Sequence, residues 1–400
     1  MPAHFSGRLP WPSPSNALSL ALSERRKRGL PVTNFVESNP TKVGLARDEG
    51  LLAALASPRG LSYSPDPRGL LAAREALCAD LDRRFPGLAP EPENLFLCAS
   101  TSEAYGWLFK LLCEAGDAVL VPKPGYPLFD FLAGLEAVEA RSYRLGYAHP
   151  AGWRIDLDSM EAALAKGRAK AIVLINPNNP TGSYLREAER RAIIDLASRW
   201  GASLIVDEVF FGFPLEAAER ATFLGESRVP TFVLDGLSKL LGLPQLKLGW
   251  MAASGPAPLL SEATGRLEII ADTYLSAGTP VMTALPRLLQ GREQFVDVLG
   301  GRLRANLASL RGILEGPGSP HRVLTCGGGW TALVESPRLA SEEDLALGLL
   351  EEEGLLVHPG YYFDMEREAF FATSLILEPG AFRAAALCYS AYFARLLSTS

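Results

Sequence analysis

Lys239 stands in the stretch DGLSKLLGLPQLKLGW, an ammonium set among leucines with a second cation, Lys247, eight residues on. A lysine shielded from water beside another positive charge loses basicity and becomes a nucleophilic amine, able to form a Schiff base with an aldehyde. Other reactive types recur in the same kind of place, directly after a short apolar run. LFLCA leads into Ser100, Thr101 and Ser102 at the head of EAYGWLFKLL, where hydroxyls and free backbone N–H groups can bind a phosphate or simply cap a helix. AVLVP leads into KPGYPLFDF, with Tyr126 on a proline-stiffened turn, placed to lie on a planar ligand or to join the core. AIVLIN leads into PNNPTG, and SLIVDE ends in Asp207 and Glu208, carboxylates that need a cation or strong hydrogen bonds to stay ionised at a buried strand end.

Apolar runs of this length, alternating with amphipathic helical stretches from about residue 45 to 285, are expected to form a mostly parallel sheet buried on both faces. Functional groups in such sheets collect at the carboxyl ends of the strands. From about 286 to 400 the pattern changes to a long helix, FVDVLGGRLRANLASLRGILEG, followed by RVLTC, WTALVES and FFATSLIL with helices between, a smaller α+β domain. Residues 1–44, rich in Pro, Ser and Asn around SNALSLALSERRKRG, read as an arm packing on the small domain or on a partner subunit. The expected cleft lies between the large and small domains.

Composition narrows the function classes. The 400 residues are 48% hydrophobic and 21% charged, with a net charge of −6 and no basic stripe, which speaks against nucleic acid and anionic membranes as partners. Five scattered cysteines without CxxC spacing suggest neither a disulfide framework nor a zinc site and suit a reducing cytoplasm. Neither a signal peptide nor a run of membrane-spanning length is expected, and no GxGxxG follows a strand.

Taken together and in order, LSYSPDPRGLLAAREAL, CASTSEA, VPKPGYPLF, INPNNPTG, VDEVFFGF and GLSKLLGLPQLKLGW resemble the fold type I pyridoxal-phosphate enzymes of the class I and II aminotransferase branch, over nearly the whole chain. The resemblance implies an aspartate-aminotransferase-like α/β fold with a seven-stranded type of sheet, and pyridoxal 5′-phosphate as cofactor. It further implies Lys239 as the Schiff-base lysine and proton carrier, and Asp207 as the partner of the pyridine nitrogen. Asn179 would bond the ring 3-oxygen and Tyr126 would stack on the ring. Ser100, Thr101, Ser102, Ser238 and Lys247 would hold the phosphate, and Tyr63 would reach it from the other subunit of a homodimer. Ser38, Trp330, Tyr361 and Arg367 are the candidate substrate contacts.

Three departures from the family pattern stand out. Phe210 occupies the place of a tyrosine whose hydroxyl bonds the 3-oxygen, so the Schiff-base pKa is expected to rise. Lys247 replaces an arginine on the phosphate, keeping the charge but losing the bidentate fork, and Gly236 replaces a serine. In AFFATSLILEPGAF the arginine that clamps a substrate carboxylate is replaced by Ala372. The expectation is an aminotransferase whose substrate is an amine without a free α-carboxylate or an amino acid held by other donors. A lyase, decarboxylase or racemase on the same fold stays open as the alternative, because the altered clamp sets which bond at the substrate carbon is aligned for cleavage.

Overall fold

The computed structural model describes residues 5–9, 15–45 and 50–399; the remaining parts of the arm, the first residues expected in the large domain and Ser400 lie outside the described residues. In chain order the strands are β1 (Thr33–Asn34), β2 (Leu95–Cys98), β3 (Ala118–Lys123), β4 (Glu139–Ala148), β5 (Gly152–Ile155), β6 (Ala169–Ile175) and β7 (Ser203–Asp207). They continue with β8 (Thr231–Gly236), β9 (Gly249–Ser254), β10 (Arg322–Val323), β11 (Thr331–Glu335), β12 (Leu355–Leu356), β13 (His358–Pro359) and β14 (Phe370–Ser374).

Eight strands form the large sheet in the order β2-β9-β8-β7-β6-β3-β4-β5. The run from β8 to β4 is parallel, β9 runs antiparallel to both its neighbours, and β5 returns antiparallel along β4. The expected type of seven-stranded sheet is thus extended by one strand, because Gly152–Ile155 folds back as a hairpin on the long strand β4 and becomes the edge.

Alternation along each strand explains why the central runs are apolar throughout. Leu97, Leu120, Leu174, Val206 and Val233 enter one hydrophobic cluster. Their chain neighbours Phe96, Val121, Val173, Ile205 and Phe232 enter another on the opposite face. Each strand therefore needs apolar residues at consecutive positions, as helices cover both sides.

A four-stranded antiparallel sheet, β10-β11-β14-β13, is built further along the chain, with a third cluster of buried residues around it. The helix Arg292–Leu314 and the C-terminal helix Pro379–Thr399 supply much of that cluster, including Leu303, Leu310, Phe382 and Phe393. The arm joins this side: β1 pairs with β12, and Arg25 on the helix Ala17–Lys27 donates to the Glu351 carbonyl at 2.9 Å. No helix of the described residues is long and apolar enough to cross a membrane.

Candidate active site

Because β9 reverses direction between β2 and β8, the carboxyl ends of β2, β8, β7, β6 and β3 all open on one edge of the large sheet. At that edge, facing β11, β13 and β14, lies a cleft of about 420 Å³. Ser100, Thr101, Ser102, Tyr126, Asn179, Asp207, Ser238, Lys239 and Lys247 line it, brought from five different strand ends. Ser38, Trp330 and Ala372 also line it.

Strand parity decides the fate of the two neighbouring acids. Asp207 shares the parity of Ile205 and so faces the helix Thr101–Leu112, where Tyr105 donates its hydroxyl to Oδ2 at 3.2 Å and the Val209 N–H donates to Oδ1 at 3.1 Å. Burial pushes the Asp207 carboxyl up to about 6, opposed by those two hydrogen bonds. Glu208 faces the other side, away from the cleft lining. There it accepts from the Thr222 hydroxyl at 2.7 Å, the Phe223 N–H at 3.1 Å and the Asn176 amide at 3.2 Å, while burial raises it to about 7.

Lys239 sits in the single helical turn Leu237–Leu240 that follows β8. Its Nζ lies 5.3 Å from the Phe210 ring centroid and 5.0 Å from that of Trp330, with no hydrogen bond or ion pair among the described residues. Desolvation lowers its pKa, and the Asp207 charge works in the other direction. Phe210 and Phe213 both pack edge-on to Trp330, each at 5.4 Å between centroids, which fixes the aromatic wall beside the amine.

Two glycines let these pieces converge. A Cβ on Gly249 would stand 3.2 Å from the Ser100 carbonyl carbon and 3.3 Å from the Thr101 nitrogen, and one on Gly236 would stand 3.1 Å from the Gly249 Cα. The start of the helix Thr101–Leu112, the end of β8 and the start of β9 therefore meet at backbone contact. Ser100 is the N-cap of that helix, its Oγ accepting from the Glu103 N–H at 3.2 Å, so its oxygen already serves the helix. Thr101 and Ser102 occupy the first turn, and Lys247 holds a left-handed backbone (φ 50°, ψ 56°) that turns the chain from Pro244–Leu246 into β9. Such a conformation costs a residue with a side chain roughly 1–2 kcal/mol.

Three expected residues lie outside the cleft lining. Tyr361 starts no strand facing the cleft; it falls in the tight turn Gly360–Phe363, where its hydroxyl donates to Glu343 at 3.3 Å. Arg367 is exposed, its guanidinium 5.5 Å from the Phe370 ring centroid, and is thus a surface arginine. Tyr63 is 76% exposed in a separate groove with Pro65, Trp107 and Leu275. The lining instead includes His358, Phe363, Thr331 and Val36, and Tyr105 supports Asp207. Tyr105 had a readable signal, since it stands four residues after Thr101 on one helix face; His358 depends on a strand pairing that no local pattern reveals.

Comparison with known proteins bears on the whole constellation. A family model described as "Aminotransferase class I and II" matches residues 26–384. Nicotianamine aminotransferase B of Hordeum vulgare is 27% identical over 394 residues, covering 92% of this chain and 69% of that protein. Among solved structures, alanine aminotransferase from Pyrococcus furiosus superposes with a TM-score of 0.86 at 23% identity, covering 98% of this chain and 100% of that one. A single mutant of Thermus thermophilus aspartate aminotransferase gives 0.84 at 22% identity, covering 98% and 100%, so the fold is aspartate-aminotransferase-like. The chain belongs to the class I and II aminotransferases.

Proposed function

We propose that the cleft binds pyridoxal 5′-phosphate and that Lys239 is the amine that engages it. The observation that carries this reading is the Lys239 Nζ, desolvated against Phe210 and Trp330 and facing a cleft that also exposes the carboxylate of Asp207. The residues fit the group. Asp207 uses only two protein donors, leaving acceptor capacity for a protonated ring nitrogen, and its high pKa marks an anion short of positive charge. Thr101, Ser102 and Ser238 hydroxyls, the helix N-terminus behind Ser100 and the Lys247 ammonium suit a phosphate dianion. Asn179, whose Oδ1 accepts from the Thr331 hydroxyl at 3.3 Å, has its amide N–H groups for a ring oxygen, and Tyr126 stands at the mouth of the cleft to cover the ring face.

When bound, that group supplies an electron-accepting ring that stabilises negative charge at the substrate carbon. Lys239 Nζ, made less basic by desolvation, would take the proton from the substrate carbon and return it at the opposite end of the amino transfer. Phe210 and Trp330 keep water away from it. An arm of residues 1–44, a large domain of 45–285 and a small domain of 286–400 is the division we adopt. A homodimer in which Tyr63 reaches the partner's phosphate site is consistent with that residue's exposure outside the chain's own cleft. The free cysteines suit a cytoplasmic enzyme.

Ala372 lies at the arginine position of the C-terminal motif, on β14, and Arg367 and Arg383 are both exposed outside the cleft lining. The substrate is accordingly not held by the usual arginine on its α-carboxylate. The test is the absorption spectrum after incubation with pyridoxal phosphate. A visible band present in wild type, absent in Lys239→Ala, bleached by an amine donor and restored by a 2-oxo acid is expected. A wild-type protein without that band sinks the reading.

A further inference from the structure

Ala372 has a definite neighbour across the sheet. β13 pairs antiparallel with β14 in the register His358↔Ala372, so both side chains stand on the same face, and both line the cleft. Replacing a long arginine by a methyl group leaves room at that place, and of its two partners across the sheet, Leu333 on β11 and His358 on β13, it is the histidine that lines the cleft among the described residues.

The hydrogen-bonding groups around it differ in how far they are already committed. Ser374 donates its hydroxyl to the Glu37 carbonyl at 2.6 Å, Thr373 donates to the Ala332 carbonyl at 3.5 Å, and Thr331 donates to Asn179. The His358 imidazole makes no hydrogen bond among the described residues; its ring packs 5.4 Å from that of Tyr362 and 6.3 Å from that of Phe363. Trp330, also on the cleft wall, has a buried indole N–H without a partner among the described residues. Burial holds His358 below the ordinary histidine range, so the imidazole is uncharged at neutral pH.

The charge balance points the same way. Among the described residues, the cations lining the cleft are Lys239 and Lys247, both assigned to the cofactor in the reading above, on which this inference rests. A carboxylate delivered to the β13–β14 end would be desolvated without a counter-charge, whereas an uncharged polar group there needs only one hydrogen bond. Leu128, Phe129 and Phe363 add apolar surface to the cleft lining.

We propose that the substrate is an amine bearing an uncharged hydrogen-bonding group, such as a carboxamide, in the place of the α-carboxylate, next to an apolar substituent, and that the His358 imidazole recognises that group. His358 is then a specificity-determining residue.

The experiment compares L-phenylalaninamide, L-phenylalanine and phenethylamine as donors to the cofactor-loaded enzyme, following the loss of visible absorbance in single turnovers. Wild type is expected to favour the amide over the acid by roughly tenfold or more, the worth of one satisfied hydrogen bond against an unpaired charge. His358→Ala is expected to lower the amide-to-phenethylamine ratio by about tenfold, through KM more than kcat, and His358→Gln to recover part of it. Ala372→Arg is expected to turn the preference toward the acid. Comparing ratios within one variant separates recognition from a general folding defect, which lowers all three donors alike. A loaded wild type that prefers the acid, or an unchanged amide-to-phenethylamine ratio in His358→Ala, overturns the proposal while leaving the cofactor reading intact. Failure to load pyridoxal phosphate at all overturns both.

Discussion

Asp207→Asn is expected to stabilise the cofactor-free protein and to weaken the cofactor-loaded one. Burial holds the carboxyl protonated up to about 6 in the folded chain against 3.8 when free, so the stability it contributes is complete below the lower value and is lost as pH rises through the higher. That displacement corresponds to about 3 kcal/mol once the group is ionised, and the solvent access left by the cleft reduces it to about 1.5–3 kcal/mol at pH 8. About half of that is present at pH 5, where the unfolded chain is already ionised and the folded one is not. Asparagine keeps an oxygen for the Val209 N–H and an amide opposite the Tyr105 hydroxyl, so the substitution removes the charge with little change in shape. Parallel urea titrations of the cofactor-free wild type and variant at pH 5 and pH 8 measure the effect, read as the shift in midpoint at matched slope. With pyridoxal phosphate bound, the same substitution removes the counter-charge of the ring nitrogen and is expected to lower affinity by roughly thirtyfold or more. A variant that destabilises the cofactor-free protein equally at both pH values would show that Asp207 acts through its hydrogen bonds alone, and the electrostatic argument would fall.

Two further outcomes follow from the cleft. Lys247→Ala is expected to weaken pyridoxal phosphate binding by roughly ten- to hundredfold, as befits one charge-assisted phosphate contact, measured by fluorescence titration; unchanged affinity would remove Lys247 from the phosphate site. Phe210→Tyr places a hydroxyl on the ring 5.3 Å from Lys239 Nζ and is expected to move the pH-dependent spectral transition of the loaded enzyme to lower pH, whereas no movement would separate position 210 from the ring oxygen.

Which parts were readable from sequence follows from how each element is buried. β2, β3, β6, β7 and β8 announce themselves because both of their faces are covered and every position must be apolar. β4 reads EARSYRLGYA because it lies toward the edge of the sheet, where its exposed positions tolerate Glu, Arg and Gly; its only fully buried residues are Tyr143 and Leu145. No apolar run marks it, and its partner β5 depends on it. The site divides on the same principle. Lys239, Asp207 and Asn179 each close a run that is itself legible, so their position at the cleft follows from the strand. His358 and Tyr361 belong to HPGYYFD, where a two-residue strand gives way to the tight turn Gly360–Phe363. Only the long-range register with β14 sets the histidine opposite Ala372 at the cleft, while the tyrosine falls in the turn beyond that ladder.

The adjacent acids at the end of β7 show why burial alone does not identify a working residue. Asp207 and Glu208 are both raised by desolvation, to about 6 and about 7, so the shift by itself does not tell them apart. What separates them is unused acceptor capacity. Glu208 has gathered donors from Thr222, Phe223 and Asn176, and with them it ties the segment at 222–223 to the loop after β6. Its position is a structural one, outside the lining of the cleft. Asp207 has two donors, both from its own side of the sheet, and its free side opens on the cleft beside a lysine that desolvation has made less basic. A single step along a strand thus turns one carboxylate into part of the frame and leaves its neighbour in need of a cation that a bound ring can supply.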